Sequence, residues 1–194
     1  MPPSGYPAIP RRTVLTGLAV GAVIAAGGSA AAKPSAPLLI EVAAGTGAGS
    51  TRISAFDAAA RAVGAANMNL IHLSSVIPPG ADVVRAERLR MPMVWGDRLY
   101  CVYAAAFAER VGERAAAGLG WVHRQDGSGA GLFVEHTAEN VEEVERLIQA
   151  SLGDMTAGRP EPFGPVELSV VEAGCRRDPV CALVLAAYQT STWG

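Results

Sequence analysis

Aromatic side chains are scarce in this chain, at 6% of its 194 residues. The apolar half of the sequence is therefore mostly Ala, Val and Leu, and 22 glycines point to tight turns and short connections. Cysteine is scarcer still: Cys101, Cys175 and Cys181 form an odd set with no Cys-x-x-Cys pair. A zinc site needs more ligands at closer spacing, so no metal is expected. Three reduced, buried thiols are the expected state, and a Cys175–Cys181 disulfide stays open only for an oxidising compartment. Excess positive charge is also missing, because the formal net charge is -2. That argues against a nucleic-acid binder, which carries a basic patch or stripe. The apolar run from Leu15 to Ala26 is too short and too glycine-rich to span a bilayer, which takes about 20 apolar residues. The segment Gly45-Thr46-Gly47-Ala48-Gly49-Ser50 lacks the third glycine of a dinucleotide fingerprint, with Ser50 in its place, so that site is excluded. No internal repeat is present.

The length suits a single domain. Residues 1–37 stand apart from the rest. Arg11-Arg12, the weak apolar run and the small residues Ser29-Ala30-Ala31-Ala32 have the three parts of a secretory signal. The paired arginines make it similar to a twin-arginine signal, whose cargo folds in the cytoplasm before export. The other reading is a cytoplasmic protein with an unused N-terminal extension. Without Arg11, Arg12 and Lys33, the body at 38–194 holds 13 basic against 18 acidic residues. An acidic body suits a cationic substrate.

Within the body, Leu38 to Val42 reads as a strand and Gly45 to Ser50 as a loop. Ser54 to about Val63 reads as a helix capped by Ser54 and ended by Gly64. Asn69 to Ser74 alternates like a strand, and Pro78-Pro79-Gly80 stops it. Further strands are expected at Leu99 to Phe107, Gly120 to His123, Gly131 to His136 and Val166 to Glu172. Thr137 is the expected cap of a helix reaching about Leu152, because Val141, Val144, Leu147, Ile148 and Leu152 follow helical spacing. Val180 to Tyr188 is open between a strand and a buried helix. This order is that of an α+β protein whose helices cover its sheets.

One segment carries more than fold information: Asn69-Leu70-Ile71-His72-Leu73-Ser74-Ser75-Val76-Ile77-Pro78-Pro79. Alone, a Ser-Ser pair at a strand end is an ordinary turn. Together with Ser54-Ala55-Phe56-Asp57-Ala58 and Gly131-Leu132-Phe133-Val134-Glu135, it resembles the pyruvoyl-dependent arginine decarboxylases over about residues 38–190. Order and spacing of the three blocks agree with that family.

The resemblance implies a fold of stacked β-sheets covered by helices, self-cleaved into two chains at Ser74–Ser75. The Ser75 hydroxyl attacks the Ser74 carbonyl, turning amide into ester. β-Elimination then leaves dehydroalanine at position 75, and hydrolysis yields a covalent pyruvoyl group, an electron sink like pyridoxal phosphate. The implied activity is decarboxylation of L-arginine to agmatine and carbon dioxide, through a Schiff base on that group. Glu135 is the implied proton donor to the α-carbon. Asn69 is the implied oxyanion stabiliser during cleavage, and its place six residues before Ser75 puts both on one face of a continuous strand. Asp57 is implied to hold the substrate through its guanidinium. Ser54-x-x-Asp57 also has the spacing of a capping box, which competes with that role. The family assembles as trimers of the cleaved pair, with sites between subunits.

Two features depart from the family. His136-Thr137 follow Glu135 where the family places an aromatic and an acid; His136 either tunes Glu135 or faces solvent. The N-terminal segment is unusual beside cytoplasmic relatives. Two other readings are the same self-cleaving fold acting on another amino acid such as aspartate, which Asp57 would repel, and an unprocessed, exported binding protein.

Overall fold

A computed structural model describes residues 37–194. The signal-like segment, with Arg11-Arg12, lies outside the described residues apart from Pro37. In chain order the elements are β1 (Leu38–Ala48), α1 (Arg52–Val63), β2 (Asn69–His72), β3 (Val76–Ile77), β4 (Ala81–Ala86), β5 (Arg98–Ala108), β6 (Arg114–His123), β7 (Gly131–Ala138), α2 (Val141–Ala157), β8 (Glu167–Gly174) and β9 (Val180–Ser191).

The strands form two sheets. One has the order β2-β5-β9-β1-β4, the other β3-β7-β6-β8. β1 pairs in parallel with β4, and β2 with β5; the remaining pairs are antiparallel. Three buried clusters define the layers. Ala55, Ala59 and Val63 of α1 meet Cys181, Leu183 and Leu185 of β9. Val184, Ala186 and Tyr188 of the same strand turn the other way, against Leu119, Trp121 and Phe133 of the second sheet. Val144, Ile148 and Leu152 of α2 close the far side over Ala116, Val122 and Val134. The layers therefore run helix, sheet, sheet, helix, an α+β sandwich. Each fully buried Ile, Leu or Phe contributes about 1.5–3 kcal/mol from the area it removes from water.

The central position of β9 explains its ambiguous sequence. Both of its faces are covered, so apolar residues fill every position from Val180 to Tyr188 and the period of two disappears. Its 12-residue extent is a strand.

The structure corrects four local expectations. Gly45 to Ala48 is not a loop but the second half of β1. A side chain at Gly47 would put a Cβ 2.2 Å from the backbone nitrogen of Ala59, so glycine there lets α1 lie directly on the sheet. The α1 cap is Thr51, not Ser54; Ser54 is the third residue of a reciprocal Thr51–Ser54 capping box. Gly64 ends this helix as expected, at φ 91. The α2 cap is Asn140, whose side chain accepts from Glu143 N–H, while Thr137 is still within β7. The last correction is β4, which follows the Pro-Pro turn and was not expected from sequence. It pairs with β1 from Leu38↔Ala81 to Ala43↔Ala86.

All three cysteines are free and buried. Cys175 sits between the sheets and Cys181 under α1. A bridge between them would have to pass through the sheet, so the disulfide is excluded. Burial pushes the Cys101 thiol up to about 12 and the Cys181 thiol to about 11. Neither is a nucleophile near neutral pH. Among the described residues, no helix is long and apolar enough to cross a membrane.

Candidate active site

The strand expected from Asn69 to Ser74 stops at His72, and the next strand, β3, belongs to the other sheet. The chain leaves β5 after the Leu73 N–H donates to the Cys101 carbonyl at 2.9 Å. It joins the second sheet where the Phe133 N–H donates to the Ser75 carbonyl at 2.8 Å. Val76↔Leu132 and Ile77↔Gly131 then continue the pairing with β7. The Ser74–Ser75 peptide is thus the link between two sheets, clamped on either side. Both β2 and β3 are edge strands, so this link lies on the open edge of each.

Ser75 has φ 62, the left-handed region. A non-glycine residue pays about 1–3 kcal/mol to stay there, and such strain gathers at functional sites. What holds it is the surrounding bonding. Its carbonyl is tied to Phe133, and its Oγ donates a hydrogen bond to Glu135 Oε1. The sequence places these side chains 60 residues apart. β7 brings Glu135 inward opposite Leu119 of β6, where only 22% of its side chain is exposed.

Two further groups complete the cluster. His72 Nε2 lies 3.7 Å from the same Glu135 Oε1. Its ring meets Tyr103 edge-on, with centroids 5.0 Å apart. Tyr188 of β9 donates its hydroxyl to the Val76 carbonyl at 3.1 Å, fixing the backbone just after Ser75. Burial, reinforced by the nearby Glu135 charge and then Cys101, pushes the Tyr188 phenol well above its ordinary range. It therefore stays protonated as a donor.

The other sequence-predicted residues lie elsewhere. Asn69 donates its side-chain amide to the Gly96 carbonyl, which also accepts the Trp193 indole N–H at 2.7 Å. The expectation that Asn69 shares a face with Ser75 assumed an unbroken strand. β2 ends at His72, and the left-handed turn at Ser75 breaks the alternation. Asp57 is half-exposed on α1 and pairs with Arg61 at 2.7 Å. Because Thr51 and Ser54 form the capping box, Asp57 is not needed for the cap. His136 does not reach Glu135. It follows it directly in β7, so alternation turns it to the α2 side, where Nε2 lies 2.8 Å from Ser151 Oγ.

His72, three residues before Ser75, has the pattern of an ordinary strand member, and only its approach to Glu135 in the fold marks it. Tyr188 carries no local signal at all, since it stands 112 residues from the carbonyl it binds.

A family model described as pyruvoyl-dependent arginine decarboxylase matches residues 39–192. The chain belongs to the pyruvoyl-dependent arginine decarboxylase family. A relative of that name in Halobacterium salinarum is 33% identical over 157 residues, covering 78% of this chain and 94% of its own length. Another, in Methanocaldococcus jannaschii, is 30% identical over 146 residues, 72% of this chain and 86% of the relative. A third, in Methanococcus maripaludis, is 33% identical over 101 residues; that match spans 52% of this chain and 59% of the relative's length.

The residues present fit the pyruvoyl group that this family name carries. A serine, as at position 75, has the three carbons that a pyruvoyl group requires. Its hydroxyl already rests on a carboxylate that can take its proton, and its backbone is held in a strained conformation.

Proposed function

We propose that this chain cuts itself between Ser74 and Ser75 and decarboxylates L-arginine to agmatine and carbon dioxide. The observation that carries the reading is Ser75 itself: left-handed, clamped between two sheets, with its hydroxyl on Glu135. Glu135 is the base that takes the hydroxyl proton as Oγ attacks the Ser74 carbonyl. Cleavage also releases the left-handed strain, because the new terminus at residue 75 has no preceding peptide to define φ. A pyruvoyl carbonyl at this position supplies an electron sink for the bond to the departing carbon dioxide. Glu135 then holds the proton delivered to the α-carbon. Tyr188 keeps the Val76 carbonyl in place throughout. Asn69, the oxyanion stabiliser that the family resemblance implies, has its side-chain amide engaged with the Gly96 carbonyl, so that role is not part of this reading.

Arginine is the favoured substrate through Asp57. In a single chain Asp57 makes no contact with Ser75 or Glu135; its partner is Arg61. The open edge at Ser75 is flanked by Val76, 56% exposed, and Ile71, 37% exposed. Apolar side chains left in water beside a site suit a subunit interface. The homotrimer of cleaved pairs that the family resemblance implies is compatible with both facts, with a neighbouring copy meeting this edge. The Arg11-Arg12 segment directs export by a twin-arginine route after folding and cleavage in the cytoplasm.

Intact mass of the purified protein tests this reading. It should show two chains, one ending at Ser74 and one beginning with a pyruvoyl-blocked residue 75. A trimmed N-terminus near residue 33 should appear in the same spectra from native cells. A single full-length chain in active protein would overturn the cleavage.

Asp57→Asn should raise the KM for arginine while leaving the melting temperature nearly unchanged. A charge-assisted hydrogen bond is worth roughly 1.5–3 kcal/mol, or about tenfold or more in affinity. The exposed Asp57–Arg61 pair contributes only about 0.3–0.5 kcal/mol to stability. Early melting with normal arginine binding would assign Asp57 to α1 alone.

A further inference from the structure

We propose that His72 is the proton relay of this site, reloading Glu135 from solvent after each turnover. The inference rests on the reading of Glu135 as the proton donor. Replacing carbon dioxide by hydrogen on the α-carbon consumes one proton per turnover. A carboxylic acid that supplies it is left as a carboxylate and must be recharged before the next substrate. Glu135 is poorly placed to do this alone, with 22% of its side chain exposed.

In the precursor, Ser75 Oγ and His72 Nε2 converge on the same oxygen, Glu135 Oε1. Forming the pyruvoyl group removes Oγ from residue 75. Oε1 then loses its hydrogen-bond donor, and the His72 imidazole stands 3.7 Å away, the more open of the two side chains within the single chain at 54% against 22%. Imidazole is the side chain that gains and loses a proton near neutral pH.

The neighbouring titratable groups do not compete. From β9, Tyr188 is buried, bonded to Val76, and held protonated. From β5, Cys101 is the register partner of His72, a buried thiol pushed up to about 12. Tyr103 of the same strand supplies the ring edge that fixes the imidazole. From α1, Phe56 packs on Tyr103 at 6.2 Å, and the next residue, Asp57, is paired with Arg61. The remaining partner, from β7, is Glu135 itself. The step is a simple transfer: the imidazolium N–H gives its proton to the Glu135 carboxylate, and the neutral imidazole takes another from water or buffer.

His72→Gln tests this, because glutamine keeps a hydrogen-bonding side chain but cannot cycle a proton. Pyruvoyl content is measured first by intact mass, and rates are expressed per pyruvoyl, so slower processing does not confuse the comparison. In dilute buffer, kcat should fall about tenfold or more, short of the roughly 10²–10⁴-fold of a direct general acid. KM for arginine should change little. Added free imidazole should restore kcat in the variant with saturation, and should leave the wild type unaffected. Unchanged kcat in dilute buffer would overturn the relay, as would a fall that imidazole does not restore, since a purely structural role has no such rescue. A pyruvoyl-bearing wild type that releases no carbon dioxide from arginine would instead overturn the functional reading on which the relay rests.

Discussion

Ser75→Ala should yield a single uncut chain with no decarboxylase activity. The variant removes one oxygen, and in the proposed cleavage that oxygen is both the attacking atom and part of the leaving group. Nothing else in the cluster replaces it. Glu135 has no proton to take, and the nearby Cys101 thiol is buried and held protonated. The fold should survive, because the clamps on either side are backbone bonds: Leu73 N–H to Cys101 and Phe133 N–H to Ser75. Alanine also accepts the left-handed turn at about the same cost as serine, roughly 1–2 kcal/mol. It loses the Glu135 bond that offsets this cost, so a modest drop in melting temperature is expected. Denaturing gels and intact mass decide the matter. Two fragments from Ser75→Ala would place the nucleophile elsewhere. Ser75→Cys should still cut in part, since a thiol can attack, but with less pyruvoyl formed.

Glu135→Gln should remain folded and lose about 10²–10⁴-fold in decarboxylation per pyruvoyl, the usual contribution of a positioned general acid. The geometry adds a second effect. In the uncut chain Glu135 accepts the Ser75 hydroxyl. A glutamine oxygen can still accept that bond, so position and packing are kept. It cannot take the proton, so cleavage should slow as well. The two effects separate by measuring pyruvoyl content before turnover. Near-normal turnover per pyruvoyl would remove Glu135 from the proton-donor role, and normal cleavage would remove it as the base.

The sequence by itself carried the local patterns. Helical spacing from Val141 to Leu152 marks α2, and the expected strand from Gly131 to His136 is β7, which runs on to Ala138. The Ser-Ser pair is expected at the end of a strand reaching Ser74, and β2 stops just before it, at His72. Some signals were present and misread. The alternation that turns Glu135 inward turns His136 outward, toward Ser151. His72, on the near side of Ser75, was the histidine to consider.

Tertiary structure decided the rest. Strand alternation fixes which side chains share a face, but not which sheet a strand joins. That depends on hydrogen-bond partners far along the chain. β2 took β5 and β3 took β7, so a segment that reads as one strand became the crossing between two sheets. This crossing is what holds Ser75 in a left-handed turn and sets its hydroxyl on a carboxylate 60 residues away. Tyr188 reached the site for the same reason, from the central strand of the opposite sheet. Gly47 shows the converse: its residue type suggested a loop, yet the weight of a helix packed on the sheet made glycine the residue a strand needed there.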